Sequence, residues 1–276
     1  MKKNSLQYFI PVAVILFAYA CTKDKGVTNQ PYDQYGTSVD GKAQLKVNLG
    51  YAYTVNSANA LVKLNGTVVS GLLAGRTPFP GGGYNTNGSN FAIYINVPQG
   101  ANTISVVIPK VGTNTDSVVL YTTPVTLPDA GPYTLHIADT VVSATVNNTK
   151  SVLVKNIVSD LDTGRTRYKF VNLIPNLPAV DLYLNGVLLK SAVNYLAATD
   201  TFSVRTGVNA PGFVSGSQPV LTVRPAGAAA TSAAIATYTS TSILQSTLTL
   251  TIFSMGYSGS TGTRLPFVSL TLDKNQ

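Results

Sequence analysis

Glutamate is absent from the 276 residues, as is tryptophan, and there is one cysteine and one histidine. Each shortage excludes something. A lone cysteine, at position 21, forms no intramolecular disulfide, so any folded domain must be held by its core. One Cys and one His cannot furnish a Cys/His zinc site. Charged residues make up only 11% of the chain, against 45% hydrophobic. Good helix formers are scarce, while Thr, Val, Tyr, Gly and Asn, the strand and turn formers, abound. The composition predicts an all-β protein, and the length suits about two domains.

The 19 basic and 11 acidic residues give a net charge of +8. The bases are scattered, and their densest group is Arg165, Arg167 and Lys169. A nucleic-acid binder would gather them in a stripe with interleaved aromatics, so no nucleic-acid partner is expected. The bland interpretation is a solvated surface. The sharper one is weak attraction to anionic glycans or lipid headgroups.

The first residues, MKKNSLQYFIPVAVILFAYACTKDK, combine a basic start, a short apolar run and small residues before a cysteine. That is the pattern of a secretory signal, and the run is too short to span a bilayer comfortably. Ala18-Tyr19-Ala20-Cys21 resembles a bacterial lipobox, although Tyr19 is bulky and Leu is missing at Ala18. The expectation is a signal peptide over 1–20, a diacylglycerol on Cys21 and a flexible tether over 21–43. An ordinary signal peptide ahead of a chance cysteine is the rival. No Asp directly follows Cys21, which favours the outer membrane of a Gram-negative bacterium, with the leaflet open.

Two stretches share a phrase. Residues 45–69, LKVNLGYAYTVNSANALVKLNGTVV, and 168–189, YKFVNLIPNLPAVDLYLNGVLL, each carry VNL, a spacer, and LNG followed by apolar residues. Asn65-Gly66 and Asn185-Gly186 are the preferred pairs for a type I′ hairpin turn, which needs positive φ at both positions. Further alternating runs follow. NFAIYINV (90–97) places Phe91, Ile93, Ile95 and Val97 on one face. TISVVIP, SVVLYTTPVTL and YTLHIAD come next, then TDTFSVRT, PVLTVRPAG, AAIATYTSTSIL and TLTLTIFSMG. Asp129, Gly131 and Tyr133 have the D-x-G-x-Y spacing of an immunoglobulin tyrosine corner, whose hydroxyl ties back to nearby backbone. Short strands at regular spacing predict two tandem Ig-like β-sandwiches, over 44–146 and 147–276.

The stretch KFVNLIPNLPAVDLYLNG resembles the opening of the domain of unknown function 4397, found in bacterial secreted proteins and lipoproteins. Val171, Asn172, Pro175, Pro178, Ala179, Val180, Asp181 and Gly186 carry the resemblance, and VPQGANTISVVIP, DAGPYTL and LTVRPAG extend it loosely. The first copy departs: Leu61 stands where Asp181 does. The resemblance implies fold and location, and it implies no chemistry.

No catalytic constellation emerges. His136 alternates with Tyr133, Leu135 and Ile137 and is expected on an outer face. A Ser-His-Asp triad would need it, yet no G-x-S-x-G presents a serine. Asp162-Thr163-Gly164 matches one half of an aspartic-protease pair and has no second half. Asp160 and Asp162 read as an acidic turn between domains, with a weak Ca²⁺ site as the alternative, although hard cations want six or more oxygens. No metal or cofactor is expected. PFPGGGYNTNGSN (78–90) lacks the G-K-[ST] of a phosphate loop and is expected to be a mobile loop. There Tyr84, with Tyr51 and Tyr53, could form an aromatic platform for a sugar. The leading expectation is a non-enzymatic lipid-anchored envelope protein serving adhesion, scaffolding or protein interaction. Its rival is a carbohydrate-binding module of a surface nutrient-uptake system.

Overall fold

The structure, a computed structural model, describes residues 41–53, 59–86, 91–111, 113, 115–141, 149–157 and 163–274. Cys21, the tether, Asp160 and Asp162 lie outside the described residues. Those described belong to one compact unit, Thr37–Gln276, and their regular secondary structure is almost entirely strand. In the first half the strands are β1 (Lys42–Leu49), β2 (Ala52–Tyr53), β3 (Leu61–Leu64), β4 (Thr67–Val68), β5 (Pro78–Phe79) and β6 (Ile95–Pro98). They continue with β7 (Gly100–Pro109), β8 (Asp116–Leu127), β9 (Pro132–Ala138), β10 (Thr140–Val141) and β11 (Lys150–Lys155). The second half has β12 (Arg165–Leu173), β13 (Ala179–Leu184), β14 (Val187–Asn194) and β15 (Phe202–Arg205). It closes with β16 (Val220–Pro225), β17 (Ala236–Thr239), β18 (Thr249–Met255) and β19 (Phe267–Leu272).

Four main sheets result. The first half has an outer sheet β4-β3-β7-β8 and a central sheet β11-β9-β1-β5, with β6 also paired to β1. The second half has a central sheet β15-β12-β18-β19 and an outer sheet β14-β13-β16-β17. In both central sheets the opening strand runs parallel to a late one: β1 beside β9, and β12 beside β18. The second sandwich encloses one apolar core, in which Tyr168, Phe170, Leu250, Ile252 and Leu270 face Leu182, Leu184, Leu221 and Val223.

The Asn-Gly turns form as the local chemistry requires. Asn65 and Gly66 have φ of 49° and 83°, and Asn185 and Gly186 have 49° and 80°. Each turn Asn also reaches across its sheet: Asn65 Oδ1 accepts from Thr103 N, and Asn185 Oδ1 from Val220 N. One expected strand is shorter: pairing starts at Ile95, and Phe91 is 62% exposed. Another lies elsewhere. Residues 150–155 fall beyond the expected boundary at 147, yet they pair antiparallel with β9 and form the edge of the first central sheet.

The two central sheets pack on each other. Every residue of β9 and of β18 is buried, so both sheets are covered on both faces. Val171, Leu173, Phe253 and Met255 meet Ala138 and Val154 in a second apolar cluster. That face carries polar side chains as well, among them Lys46, His136 and Asp273.

Candidate functional site

Lys46 and Asn48 project from β1, Thr134 and His136 from β9, and Thr251 from β18, all into the layer between the central sheets. His136 is fully buried there, which corrects the expectation of an outer position. The strand alternation was right; the face it points to is covered by the second sandwich. Its Nδ1 lies 2.9 Å from Asn48 Nδ2, and its ring packs on Phe253 at 5.5 Å between centroids. Burial, reinforced by the positive charge of Lys46, pushes its pKa down to about 3. Lys46 is fully buried too; its Nζ donates to the Leu272 carbonyl at 3.0 Å and sits 4.8 Å from the Tyr94 ring centre. Burial lowers its pKa to about 8, opposed by the attraction of Asp273.

Asp273 is 2% exposed. Its Oδ2 accepts from Thr251 Oγ1 at 2.8 Å and from Ile157 N at 3.3 Å, while Oδ1 has no protein partner. Burial raises its pKa to about 6, against the pull of Lys46. Tyr94 donates to the Asp273 carbonyl and accepts from Asn156 Nδ2, each at 2.8 Å. An acid, a base and an amine thus share one layer, but it is sealed from solvent, and no substrate reaches it in this conformation. Among the described residues no group of three or more His, Cys, Asp or Glu could hold a metal ion.

The residues expected to be structural have partners that fit that role. Tyr133 is buried, and its hydroxyl donates to Asp129 Oδ1 at 2.8 Å. The corner therefore closes on a carboxylate rather than on the backbone. Gly131 N donates to the same oxygen at 2.8 Å, and Lys155 Nζ pairs with Oδ2 at 2.6 Å. These bonds, with that from Lys155 the largest, hold the Asp129 pKa at about 2. Any side chain at Gly131 would meet Asp129 Oδ1 at 2.7 Å. Asp181 is buried and accepts Ala192 N at 2.7 Å and Gly227 N at 2.9 Å. It fastens the irregular β13–β14 pairing, where Ala192 has φ of 51°, to the turn after β16.

The aromatic platform does not assemble as expected. Tyr51 is 2% exposed, so it cannot stack on a ligand at the surface. Tyr53 lies in β2. Tyr84 packs partly against the second core, and its backbone exchanges hydrogen bonds with Leu270 at 2.8 and 3.4 Å. The glycine-rich stretch is docked rather than free over residues 78–86. Phe79 is buried, Asn85 Nδ2 donates to Val268 O at 2.8 Å, and Ser269 Oγ donates to Tyr84 O at 2.6 Å. Gly83 allows this approach: a Cβ there would lie 2.4 Å from the Leu270 carbonyl oxygen. Residues 87–90 lie outside the described residues.

The exposed chemistry is at one end of the second sandwich. Arg165 and Arg205 stand directly opposite each other on β12 and β15. With Lys190 and Leu188 of β14 they line an open groove of about 340 Å³. A neighbouring cavity of about 350 Å³ lies beside Phe213, Val214, Gln218 and Leu244. Sequence proximity flagged Arg165, Arg167 and Lys169, but Lys169 turns toward the first sandwich and donates to the Lys155 carbonyl. Arg205 and Lys190 went unnoticed, because strand pairing and not sequence distance brings them to Arg165.

Stacked β-sandwiches, with buried charges engaged between the sheets and a basic, apolar rim at one end, define the class of this protein. Residues 83–183 match the family model for the Domain of unknown function (DUF4397). The match covers just over a third of the chain and runs from the edge-docked Gly83 into β13, taking in parts of both sandwiches. No curated protein matches the chain.

Proposed function

We propose that this is a non-enzymatic cell-envelope protein of a Gram-negative bacterium, held by lipid on Cys21 in the outer membrane and working in adhesion, scaffolding or protein interaction. The supporting observation is the location of its titratable groups: Lys46, His136 and Asp273 are sealed between sheets, where they bind the two sandwiches together. The exposed surface instead offers a broad rim of cationic and apolar side chains, suited to contact with another surface. The Ala18-Tyr19-Ala20-Cys21 sequence supports the anchor. Burial of Tyr51 removes one of the three tyrosines on which the carbohydrate-binding alternative rests.

Labelling cells with an alkynyl fatty acid tests the anchor. The wild type is expected to carry label and to fractionate with membrane, and Cys21→Ser to lose both; an unlabelled mature protein cleaved elsewhere refutes it. The interaction role predicts that deleting the gene reduces attachment of cells to a surface or to each other. Cys21→Ser should fail to restore it. Unchanged attachment, together with micromolar binding on a glycan array, would favour the alternative.

A further inference from the structure

We propose that the end of the second sandwich bearing Arg165, Arg205 and Lys190 docks on a bilayer of anionic phospholipid. Three observations converge. The first is charge. Residues directly opposite on neighbouring strands hold their Cβ atoms about 5 Å apart, and like charges there repel. Arg165 and Arg205 occupy such a pair, and Lys190 faces them across the groove from the other sheet. The ion pairs among the described residues, Lys63–Asp116 and Lys155–Asp129, lie elsewhere. Among the described residues no carboxylate forms an ion pair with these three cations, and a layer of lipid phosphates would supply countercharge.

The second is apolar exposure. Val208 is 74% exposed, Val214 62%, Leu188 48% and Phe213 43%. Leu188 lines the groove, Phe213 and Val214 line its open neighbour, and Val208 follows Gly207 of that neighbour in the chain. A small soluble anion would be met by convergent polar groups in a closed site. A rim of cations beside outward-facing apolar side chains suits the headgroup–acyl boundary.

The third is orientation. His136, level with Asn48, packs on Phe253, which is level with Val171. Lys46 reaches Leu272, which is level with Tyr168 through Leu250. β1 and β12 therefore run the same way, and their first residues, Lys42 and Arg165, point to the same end. The first strand thus begins at the end that carries the cationic rim. The inference deepens the anchored reading and rests on it for the presence of a membrane, though the docking chemistry is tested without the anchor.

The test uses the mature chain with Cys21→Ser and co-sedimentation with vesicles of phosphatidylcholine, alone or mixed with phosphatidylglycerol. Binding is expected only to the mixed vesicles and should weaken with added salt. Arg165→Gln with Arg205→Gln should lower it about 25-fold, from about fivefold per arginine near the surface. Phe213→Ser with Val214→Ser should lower it at least about fivefold. Lys110→Gln with Lys150→Gln, an equal charge change elsewhere, should leave it unchanged. Matching circular dichroism melts show that each variant is folded. Equal binding to both vesicles, binding to neither, or equal loss in the Lys110/Lys150 control overturns the proposal. Free glycerol phosphate that binds the protein while vesicles do not also overturns it, by identifying a soluble ligand. Loss of lipid on Cys21 with vesicle binding intact would refute the anchor alone; a lipidated protein without vesicle binding would refute the docking alone.

Discussion

His136 is expected to set the acid limit of the fold, with Asp273 masking its onset. The folded pKa of His136 is about 3, below the unfolded value of about 6.5. Its contribution is therefore fully present above pH 6.5 and is lost as pH falls toward 3. At 1.36 kcal/mol per unit, the loss reaches about 5 kcal/mol. Asp273 has the opposite sign. Its folded pKa is raised to about 6, so its contribution is fully present below the unfolded pKa, about 3.9, and is lost as pH rises through 6, by about 3 kcal/mol. Between pH 6 and 4 the two nearly cancel, and the wild type should show a flat profile that falls only below 4. Lys46, lowered to about 8, contributes fully above its unfolded pKa and has lost that contribution before this window begins. Asp129, at about 2, acts below the window. Asp273→Asn should unmask the histidine, with stability declining by about 1.4 kcal/mol per unit below pH 6. His136→Asn should do the reverse and gain stability from pH 7 to 4. The chain has no tryptophan, so urea unfolding at each pH is best followed by far-ultraviolet circular dichroism. Parallel slopes in the two variants would refute the reasoning.

Tyr133→Phe should cost about 1 kcal/mol in urea unfolding, because it removes a hydrogen bond to a carboxylate that is itself half exposed; no change would show that the corner is ornamental. Asp181→Leu, which copies the residue at Leu61, leaves Ala192 N and Gly227 N without their acceptor. It should cost about 3 kcal/mol and speed amide exchange at both positions, whereas an unperturbed exchange pattern would contradict the role assigned to it. Gly83→Ala forces residues 83–85 off β19 because of the 2.4 Å approach. Faster exchange at Tyr84 and Leu270, with a loss of about 2 kcal/mol, is the expected result, and wild-type exchange at both would exclude the clash.

Local chemistry was legible in the sequence, and what covers a surface was not. The Asn-Gly turns were readable because the demand for positive φ is met within two residues. β7, β8, β9 and β18 were readable because alternation is a property of one strand. β19 was missed although Val268, Leu270 and Leu272 alternate, since the run follows a Gly/Ser-rich loop and has no turn pair to announce it. The side of β9 occupied by His136 was read correctly, but its exposure depends on Phe253, more than a hundred residues away. Residues 150–155 carry no mark of their partner strand; β9 claims them only once folded. The same holds for the cationic end, where Arg205 meets Arg165 through strand register alone.

The doubled VNL phrase illustrates the same limit. In β1, Lys46 and Asn48 face the layer between the central sheets. In β12, Val171 and Leu173 face it, and Asn172 turns inward to accept from Ile174 N and to donate to Val193 O. The two copies are thus offset by one residue in facing, and a one-residue offset sends every side chain to the opposite side of its sheet. This makes the layer asymmetric in a useful way. The apolar row of β12 and β18 meets Ala138, Val152 and Val154, while Lys46 in the polar row of β1 meets the Leu272 carbonyl and is attracted by Asp273, which Thr251 holds. Had β12 taken the facing of β1, Phe170 and Asn172 would face the layer in place of Val171 and Leu173, and Lys169 would turn into the apolar core of the second sandwich. An unpaired buried charge is among the costliest defects a fold can carry. The contact between the sandwiches therefore depends on the halves being unlike, and two copies of the first half could not reproduce it.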